Sequence, residues 1–376
     1  MHFFGLFEKA SFIDRPNRFL VRCRMENQEI LAFLPNPGRL QELLFPGAPI
    51  YLIRASEPGH RRYTYTVVAV EREGIPIMLH THRCNDVARF LLERGRVPGL
   101  EKARVLGREI TIGHSRFDFL LDLAGEEIIL EVKSCTLVGR HTAMFPDAVT
   151  ARGSRHLREL AELSAKGRKT AVLFLIHWPK VNDFRPDYHT DLTFAQTMLA
   201  CRERVLFLPI SIKWQKDLSL GQRIKRLNIP WASIEKEAKD RGSYLLILKL
   251  PDPKSIPIGK LGVLSFRPGY YIYVGSAMAN LSARMERHRR LRKRFHWHID
   301  YLRAEAEFQA VLPIRSSRSL ECRLAEEMEK ICRWSYPGFG CSDCTCPSHL
   351  FGLPTDPFQS KEFMALLQHF RLDREI

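Results

Sequence analysis

The chain of 376 residues is 45% hydrophobic and 27% charged, a globular composition long enough for two or three domains, which excludes disordered, fibrous and small disulfide-framework classes. No apolar run approaches the roughly 20 residues of a membrane helix, and the start, MHFFGLFEKASFIDRP, is too short and too soon charged for a secretory signal. Basic side chains outnumber acidic ones 58 to 42, a net charge of +16 that favours a polyanion such as nucleic acid, and nine scattered cysteines point to a reducing, cytoplasmic setting.

Residues 1–84 read as short strands, among them FLVRC at 19–23 and YTYTVVAVE at 63–71. Turn signals part them, NPG at 36–38 and PGA at 46–48, so a small all-β barrel is expected. From residue 85 the texture changes. DVARFLLERG has helical spacing, FDFLLDL and EIILEVKS read as strands, SRHLRELAELSAKG is amphipathic with Gly167 as its stop, and AVLFLI is a buried strand. This alternation predicts an α/β domain over 85–212. Residues 213–240 are charge-rich without a strand pattern and read as a linker with some helix. A third unit over 241–352 repeats the strand, turn, strand, helix order, and PFQSKEFMALLQHF within 353–376 predicts a closing helix.

The segment SRFDFLLDLAGEEIILEVKS reads as a hairpin turning near residues 124–127. If Leu123 pairs with Ile128, alternation sets Asp118, Glu131 and Lys133 on one face. Two carboxylates beside a lysine are what a Mg²⁺-dependent phosphodiesterase requires, oxygen ligands for the cation and a positive group to orient water and offset phosphate charge. The spacing matches the PD-(D/E)xK nuclease pattern. The competing reading is an edge strand with salt-bridged surface charges. Against it, the apolar neighbours imply a buried sheet, where unpaired carboxylates are costly.

The stretches RPNRFLVR at 15–22, LPNPGRLQELLFPGA at 34–48, SRFDFLL at 115–121, EVKSCTL at 131–137 and FPDAVTARGSRHLREL at 145–160 resemble the sugar fermentation stimulation protein A family over residues 1–212. The resemblance implies an OB-like barrel, a PD-(D/E)xK nuclease-like domain and DNA binding. It makes Asp118 and Glu131 metal ligands and Lys133 the water-orienting cation, with Asp147, Arg152 and His156 bordering the same cleft. For these three the alternative is an N-capping aspartate and surface charges on the next helix. In the barrel, Arg15, Arg18 and Arg39 would grip phosphates while Phe19 stacks on a base. Arg116 would touch phosphate or pair with an acid, and Asn36, Pro37 and Gly38 serve equally as a plain tight turn.

In the third unit, GSY at 242–244 and YVG at 273–275 sit on two predicted strands. Arg284 follows nine residues after Gly275, and Glu321 lies on a later helix. A carboxylate for a metal, an arginine for phosphate charge and tyrosines for proton transfer suit one-metal cleavage. The pattern resembles a GIY-YIG-like nuclease domain of the small archaeal branch, α+β in class, with catalytic candidates Tyr244, Tyr273, Arg284, His288 and Glu321. It departs in reading GSY, and in the 28 residues between Tyr244 and Tyr273. The basic run at 284–294, read as a helix, offers Arg287 and Arg290 to phosphate. The run CSDCTCPSH supplies Cys341, Cys344, Cys346 and His349 for Zn²⁺, with His296, His298 or Cys322 as a further partner and free thiols as the alternative. His296 and His298 are expected to alternate onto one face of a strand.

The sequence thus predicts a multidomain nucleic-acid-binding protein, DNA first and RNA open, that cleaves phosphodiester bonds with Mg²⁺ or Mn²⁺ and carries a Zn²⁺ cluster. The rival class is a non-catalytic regulator using nuclease-like folds as platforms. No membrane partner is expected, oligomeric state stays open, and no sugar-site signature is present.

Overall fold

Alternating apolar side chains in the first 80 residues build six strands in the computed structural model, which describes residues 3–54, 63–113 and 115–374. They are β1 (Phe7–Asn17), β2 (Leu20–Met25), β3 (Gln28–Phe33), β4 (Pro49–Arg54), β5 (Tyr65–Arg72) and β6 (Ile75–Met78). The sheet runs β3-β2-β1-β4-β5-β6, and parallel pairing of Ala32 with Tyr65 and Phe33 with Thr66 closes β3 onto β5. This closes β1–β5 into a barrel, with β6 extending from β5, and encloses Val21, Ile50, Leu52 and Val67.

The next elements are α1 (Cys84–Glu93), β7 (Arg104–Ile112), β8 (Ser115–Leu123), β9 (Glu126–Cys135), β10 (Leu137–Val138), β11 (Thr142–Phe145), α2 (Ala151–Ala165), β12 (Lys169–Ile176), β13 (Asp183–Pro186), α3 (Leu192–Ala200), β14 (Leu206–Trp214), β15 (Leu220–Arg226) and α4 (Trp231–Glu237). A six-stranded sheet has the order β15-β14-β12-β9-β8-β7, with β12 parallel to both neighbours. Every residue of β12 after Lys169 is buried, the pattern of a strand covered on both faces. Val21, Leu52 and Val67 of the barrel share one apolar cluster with Leu160, Val172 and Phe174. The barrel and the α/β layer on either side of residue 84 pack together as one unit, Met1–Asp187 with Thr193–Ile234.

The linker expected over 213–240 is different in the structure. Its residues finish β14, form β15 antiparallel to it, and continue into α4. As the edge of the sheet, β15 exposes Gln222, Arg223 and Arg226, so its sequence lacks the apolar alternation that marks a strand.

The second unit comprises Tyr188–Leu192 and Glu235–Ile376. Its elements are β16 (Gly242–Leu250), β17 (Lys254–Pro257), β18 (Val263–Phe266), β19 (Gly269–Ala277), α5 (Leu281–Arg289), α6 (His298–Glu305), β20 (Glu307–Arg315), α7 (Glu321–Ile331), β21 (Trp334–Ser335), β22 (Leu350–Leu353) and α8 (Lys361–Gln368). An antiparallel sheet orders as β20-β16-β19-β22-β21. The long interval between Tyr244 and Tyr273 is a small hairpin, β17 with β18, inserted between strands that pair over nine positions. The basic helix expected to reach residue 294 stops at Arg289, and Arg290 is extended. His296 and His298 are not on a strand; His298 opens α6, whose third residue, Asp300, accepts hydrogen bonds from the backbone of His296 and Trp297. Among the described residues no helix is long and apolar enough to cross a membrane.

Candidate functional site

Ala124 and Gly125, both at positive φ, form a two-residue turn that pairs Leu123 with Glu126. This register differs by two residues from the one read in the sequence, and a shift of two preserves which side chains share a face. The ladder ends at Phe119 with Leu130. There the Asp118 carboxylate takes over, with Oδ2 accepting from Val132 N at 2.7 Å and Oδ1 from Asn85 Nδ2 of α1 at 2.7 Å. Glu131 is 4% exposed. Its Oε1 accepts from Lys133 Nζ and from His156 Nδ1, the latter at 2.8 Å, and its Oε2 is buried with no hydrogen-bond partner. Arg152 Nε donates to His156 Nε2 at 3.3 Å, which sets the imidazole proton on Nδ1. A relay therefore runs from exposed Arg152 through His156 to Glu131.

The two carboxyls are electrostatically split. Burial, then the Glu131 charge, hold Asp118 above the usual carboxylate range. Burial alone would raise Glu131 too, but the His156 hydrogen bond and Lys133 outweigh it and hold Glu131 below that range. Two carboxylates within electrostatic reach of each other, one with an unpartnered buried oxygen, are a donor set a hard divalent cation would satisfy. Asn85 was not foreseen, because nothing in CNDVARF reveals that α1 meets β8.

Asp147 does not join them. The cap of α2 is Thr150, whose Oγ1 accepts from Gly153 N. Asp147 instead lies within the electrostatic reach of Asp187, Arg15 and Arg39, and burial is the main cause that raises it. Beside it, burial and then the Asp147 charge push Glu42 up to about 8. A carboxyl raised in the folded state binds its proton more tightly when folded, so its contribution to stability falls as pH rises from its ordinary value through about 8. In EDTA, Glu42→Gln should therefore be near neutral at about pH 4 and stabilising by about 1–3 kcal/mol at about pH 8, read by urea unfolding.

The barrel's arginines divide by role. Arg15 spends its guanidinium on the backbone carbonyls of Arg18, Asn36, Gly38 and Arg39, so it clamps the 34–48 loop and is not offered to phosphate. Arg18 and Arg39 are exposed beside a cavity of about 460 Å³ that Gly38, Ala148 and Val149 also line. Phe19 is 46% exposed next to Arg18. Arg116 pairs with Glu109 at 3.4 Å, both exposed. A larger basic cavity of about 850 Å³, lined by Arg168, Lys169, Arg204 and Trp231, contains none of the candidate catalytic, metal-binding or nucleic-acid-binding residues.

In the second unit, Tyr244 pairs with Gly275, and any Cβ there would lie 2.5 Å from the Tyr244 ring. The glycine of YVG is thus room for the tyrosine of GSY. Tyr244 Oη meets His288 Nε2 at 2.8 Å, and the Tyr273 ring centroid lies 6.4 Å from each of theirs. Burial raises both tyrosines and lowers His288 to about 3, while Arg284 and Glu321 act electrostatically on both tyrosines. The five candidates are therefore together, but Tyr244, Tyr273 and His288 are 2%, 7% and 0% exposed. Glu321 has both oxygens engaged, Oε2 by Ser276 Oγ and Oε1 by His349 Nδ1 at 3.1 Å. Ser276, which follows YVG directly, was missed.

Arg287 is not free for phosphate: it forks onto Asp300 at 2.9 Å through both nitrogens. Arg290 is exposed, as are Arg289, Arg292 and Arg294. The cysteine cluster is reshuffled as well. Cys344, Cys346 and His349 meet Cys322 from the first turn of α7, with one ligand atom of each within 4.8 Å of the others. Cys341 Sγ donates to the Phe339 carbonyl and borders the cluster beside Cys344, outside the group of four, and His298 Nδ1 accepts from Gly340 N.

Three family descriptions match the chain: the SfsA N-terminal OB domain over residues 13–79, the sugar fermentation stimulation protein RE domain over 82–217, and a domain of unknown function, DUF123, over 243–372. A sugar fermentation stimulation protein homolog of Moorella thermoacetica is 42% identical over 191 residues, covering 50% of this chain and 82% of its own. Its counterpart in Methanothermobacter thermautotrophicus is 37% identical over 225 residues, 59% of this chain and 93% of its own. The solved structure of Pyrococcus furiosus SfsA in complex with Ca²⁺ is 26% identical, with a TM-score of 0.56, and covers 60% of this chain and 96% of that one.

Proposed function

The chain belongs to the sugar fermentation stimulation protein family, and from that premise we propose that it binds nucleic acid, DNA first, and hydrolyses phosphodiester bonds with Mg²⁺ or Mn²⁺ at Asp118 and Glu131. The observation that carries this reading is Glu131 Oε2, a buried carboxylate oxygen with no partner beside a second carboxylate that its charge disturbs. Leaving such an oxygen unpaired costs about 1–3 kcal/mol, which a cation would recover. The Ca²⁺ complex of the Pyrococcus furiosus relative supports a hard-cation site in this fold.

A bound divalent cation supplies Lewis acidity and a water of lowered pKa. The protein's own part is positional. Asn85 and the Val132 amide hold Asp118, while His156 holds Glu131 and is itself held by Arg152. Lys133, on the same strand as Glu131, places positive charge where a phosphate would gather negative charge. This is the PD-(D/E)xK arrangement of roles. The test is cleavage of single-stranded and double-stranded DNA and RNA by the full chain with Mg²⁺, Mn²⁺ or EDTA. Retention of nucleic acid with no cleavage under any metal would sink the nuclease reading and leave the regulator in its place.

For the GIY-YIG-like second unit, a binding platform is favoured over a second cleavage site. Tyr244, Tyr273 and His288 are enclosed, and Glu321 has no unpartnered oxygen, unlike Glu131. Its exposed Arg289, Arg290, Arg292 and Arg294 suit phosphate contact. In the barrel, removing Arg18 and Arg39 together should flatten the slope of log affinity against log salt by about 1.4–1.8. Fluorescence anisotropy on a labelled oligonucleotide at several salt concentrations measures it. Arg15→Ala should instead loosen the 34–48 loop and lower the melting temperature.

A further inference from the structure

Cys322, Cys344, Cys346 and His349 come from two places, the first turn of α7 and the segment before β22, yet their ligand atoms all lie within 4.8 Å of one another. Thiolates and an imidazole around one zinc ion need sulfur separations of about 3.8 Å, so this spacing needs only a small contraction. The three thiols are free. Two further observations point to a ligand. The segment 341–347 is held by little packing: it has no regular structure, and each of its residues is exposed or partly exposed. His349, in contrast, is 1% exposed, with Nε2 facing Cys344 Sγ at 3.4 Å.

The other side of that imidazole is fixed. His349 Nδ1 donates to Glu321 Oε1 at 3.1 Å, and Glu321 Oε2 accepts from Ser276 Oγ of β19. A carboxylate on one imidazole nitrogen is how proteins select the tautomer that leaves the other nitrogen for a metal. We propose that Cys322, Cys344, Cys346 and His349 form a structural Zn²⁺ site, with Glu321 as the positioning residue that orients His349. Cys341, the member of CSDCTCPSH that a compact reading of the sequence would include, is outside the ligand set. The site closes with four protein ligands and leaves no open position, so it stitches the 341–349 segment to α7. Through Glu321 and Ser276 it also ties that segment to the strand carrying Tyr273. It is independent of the cation proposed at Asp118 and Glu131.

The test uses the full chain, purified under reducing conditions, with zinc quantified by mass spectrometry and Co²⁺ substituted as a spectroscopic probe. Expected are about one equivalent of zinc and a tetrahedral Co²⁺ spectrum with sulfur-to-cobalt charge transfer from three thiolates. Cys322→Ser and Cys346→Ser should lose stoichiometric metal, whereas Cys341→Ser should keep it with an unchanged Co²⁺ spectrum. Glu321→Gln should keep the stoichiometry at saturating zinc with affinity lowered about 10–100-fold. Should the cysteine variants fail to fold, His349→Cys decides, since it should retain the metal with a stronger charge-transfer band. Absence of zinc and of a tetrahedral Co²⁺ spectrum in the reduced wild type, a disulfide within the cluster under those conditions, or equal loss in Cys341→Ser would each overturn the proposal.

Discussion

Glu131→Gln should lower Mg²⁺-dependent cleavage about 10³-fold or more while leaving nucleic-acid retention in EDTA unchanged. The substitution preserves volume, and the carbonyl oxygen of the new side-chain amide can accept from His156, so the buried contact at 2.8 Å has a neutral successor. What disappears is the negative charge on Oε2, the oxygen that has no other partner. Several kcal/mol of Lewis-acid stabilisation convert to that factor at about 1.4 kcal/mol per tenfold. Asp118→Asn should act similarly, because its two hydrogen bonds position the group and its charge binds the cation. Lys133→Met should cost about 10²-fold, as removal of one preorganised donor does.

Stability with and without the cation separates a metal-binding carboxylate from a merely ion-paired one. Asp118 is held above its ordinary range by burial and by Glu131, so neutralising Glu131 relieves Asp118, but Glu131 is itself held below its range by His156 and Lys133, and that contribution is lost with its charge. On balance Glu131→Gln should therefore lower the melting temperature in EDTA and abolish the stabilisation that added Mn²⁺ gives the wild type. Thermal melts with and without Mn²⁺ measure both. Mn²⁺ stabilisation that survives in Glu131→Gln would mean that the carboxylate is only a structural ion-pair partner of Lys133 and His156.

The carboxylate pair was legible because strand alternation has a period of two. The sequence LAGEE accommodates a tight turn or a wider one, and both keep Asp118, Glu131 and Lys133 related in the same way. The α/β core was legible for a similar reason, since β12 is apolar along its whole buried length. Arginine roles were not. Arg15 and Arg18 look alike in RPNRF, and only the path of the 34–48 loop turns the first inward and leaves the second exposed. β15 escaped notice because an edge strand needs little apolar alternation. CSDCTCPSH is too compact to close a site alone, so a further partner is expected among His296, His298 and Cys322, and it is Cys322 of another element that joins Cys344, Cys346 and His349, with Cys341 left outside.

Asp300→Ala should destabilise the second unit by about 3–5 kcal/mol, the cost of stranding buried charges. Asp300 is 1% exposed and accepts from Arg287 at 2.9 Å through both oxygens, from Lys293 at 2.9 Å, and from the backbone of His296 and Trp297 at 2.9 and 3.1 Å. Burial alone would raise its carboxyl, but these partners outweigh it and hold Asp300 far below the usual range. A carboxyl depressed in the folded state adds stability that is complete above its unfolded value and is lost as pH falls from about 4 toward the folded value. Acid should therefore weaken the wild type in this window more than it weakens Asp300→Ala. Burial already lowers Lys293; without Asp300 it can shed its proton, so the variant's deficit should shrink at alkaline pH. Hydrogen exchange across residues 281–305 of the full chain reads these changes locally. The same partners fix the segment that displays Arg290, Arg292 and Arg294, with Arg284 and Arg287 lying 4.2 and 4.3 Å from the Trp297 ring centroid. Loss of Asp300 should consequently also weaken salt-sensitive binding of nucleic acid, although Asp300 itself, buried and acidic, would touch none of it.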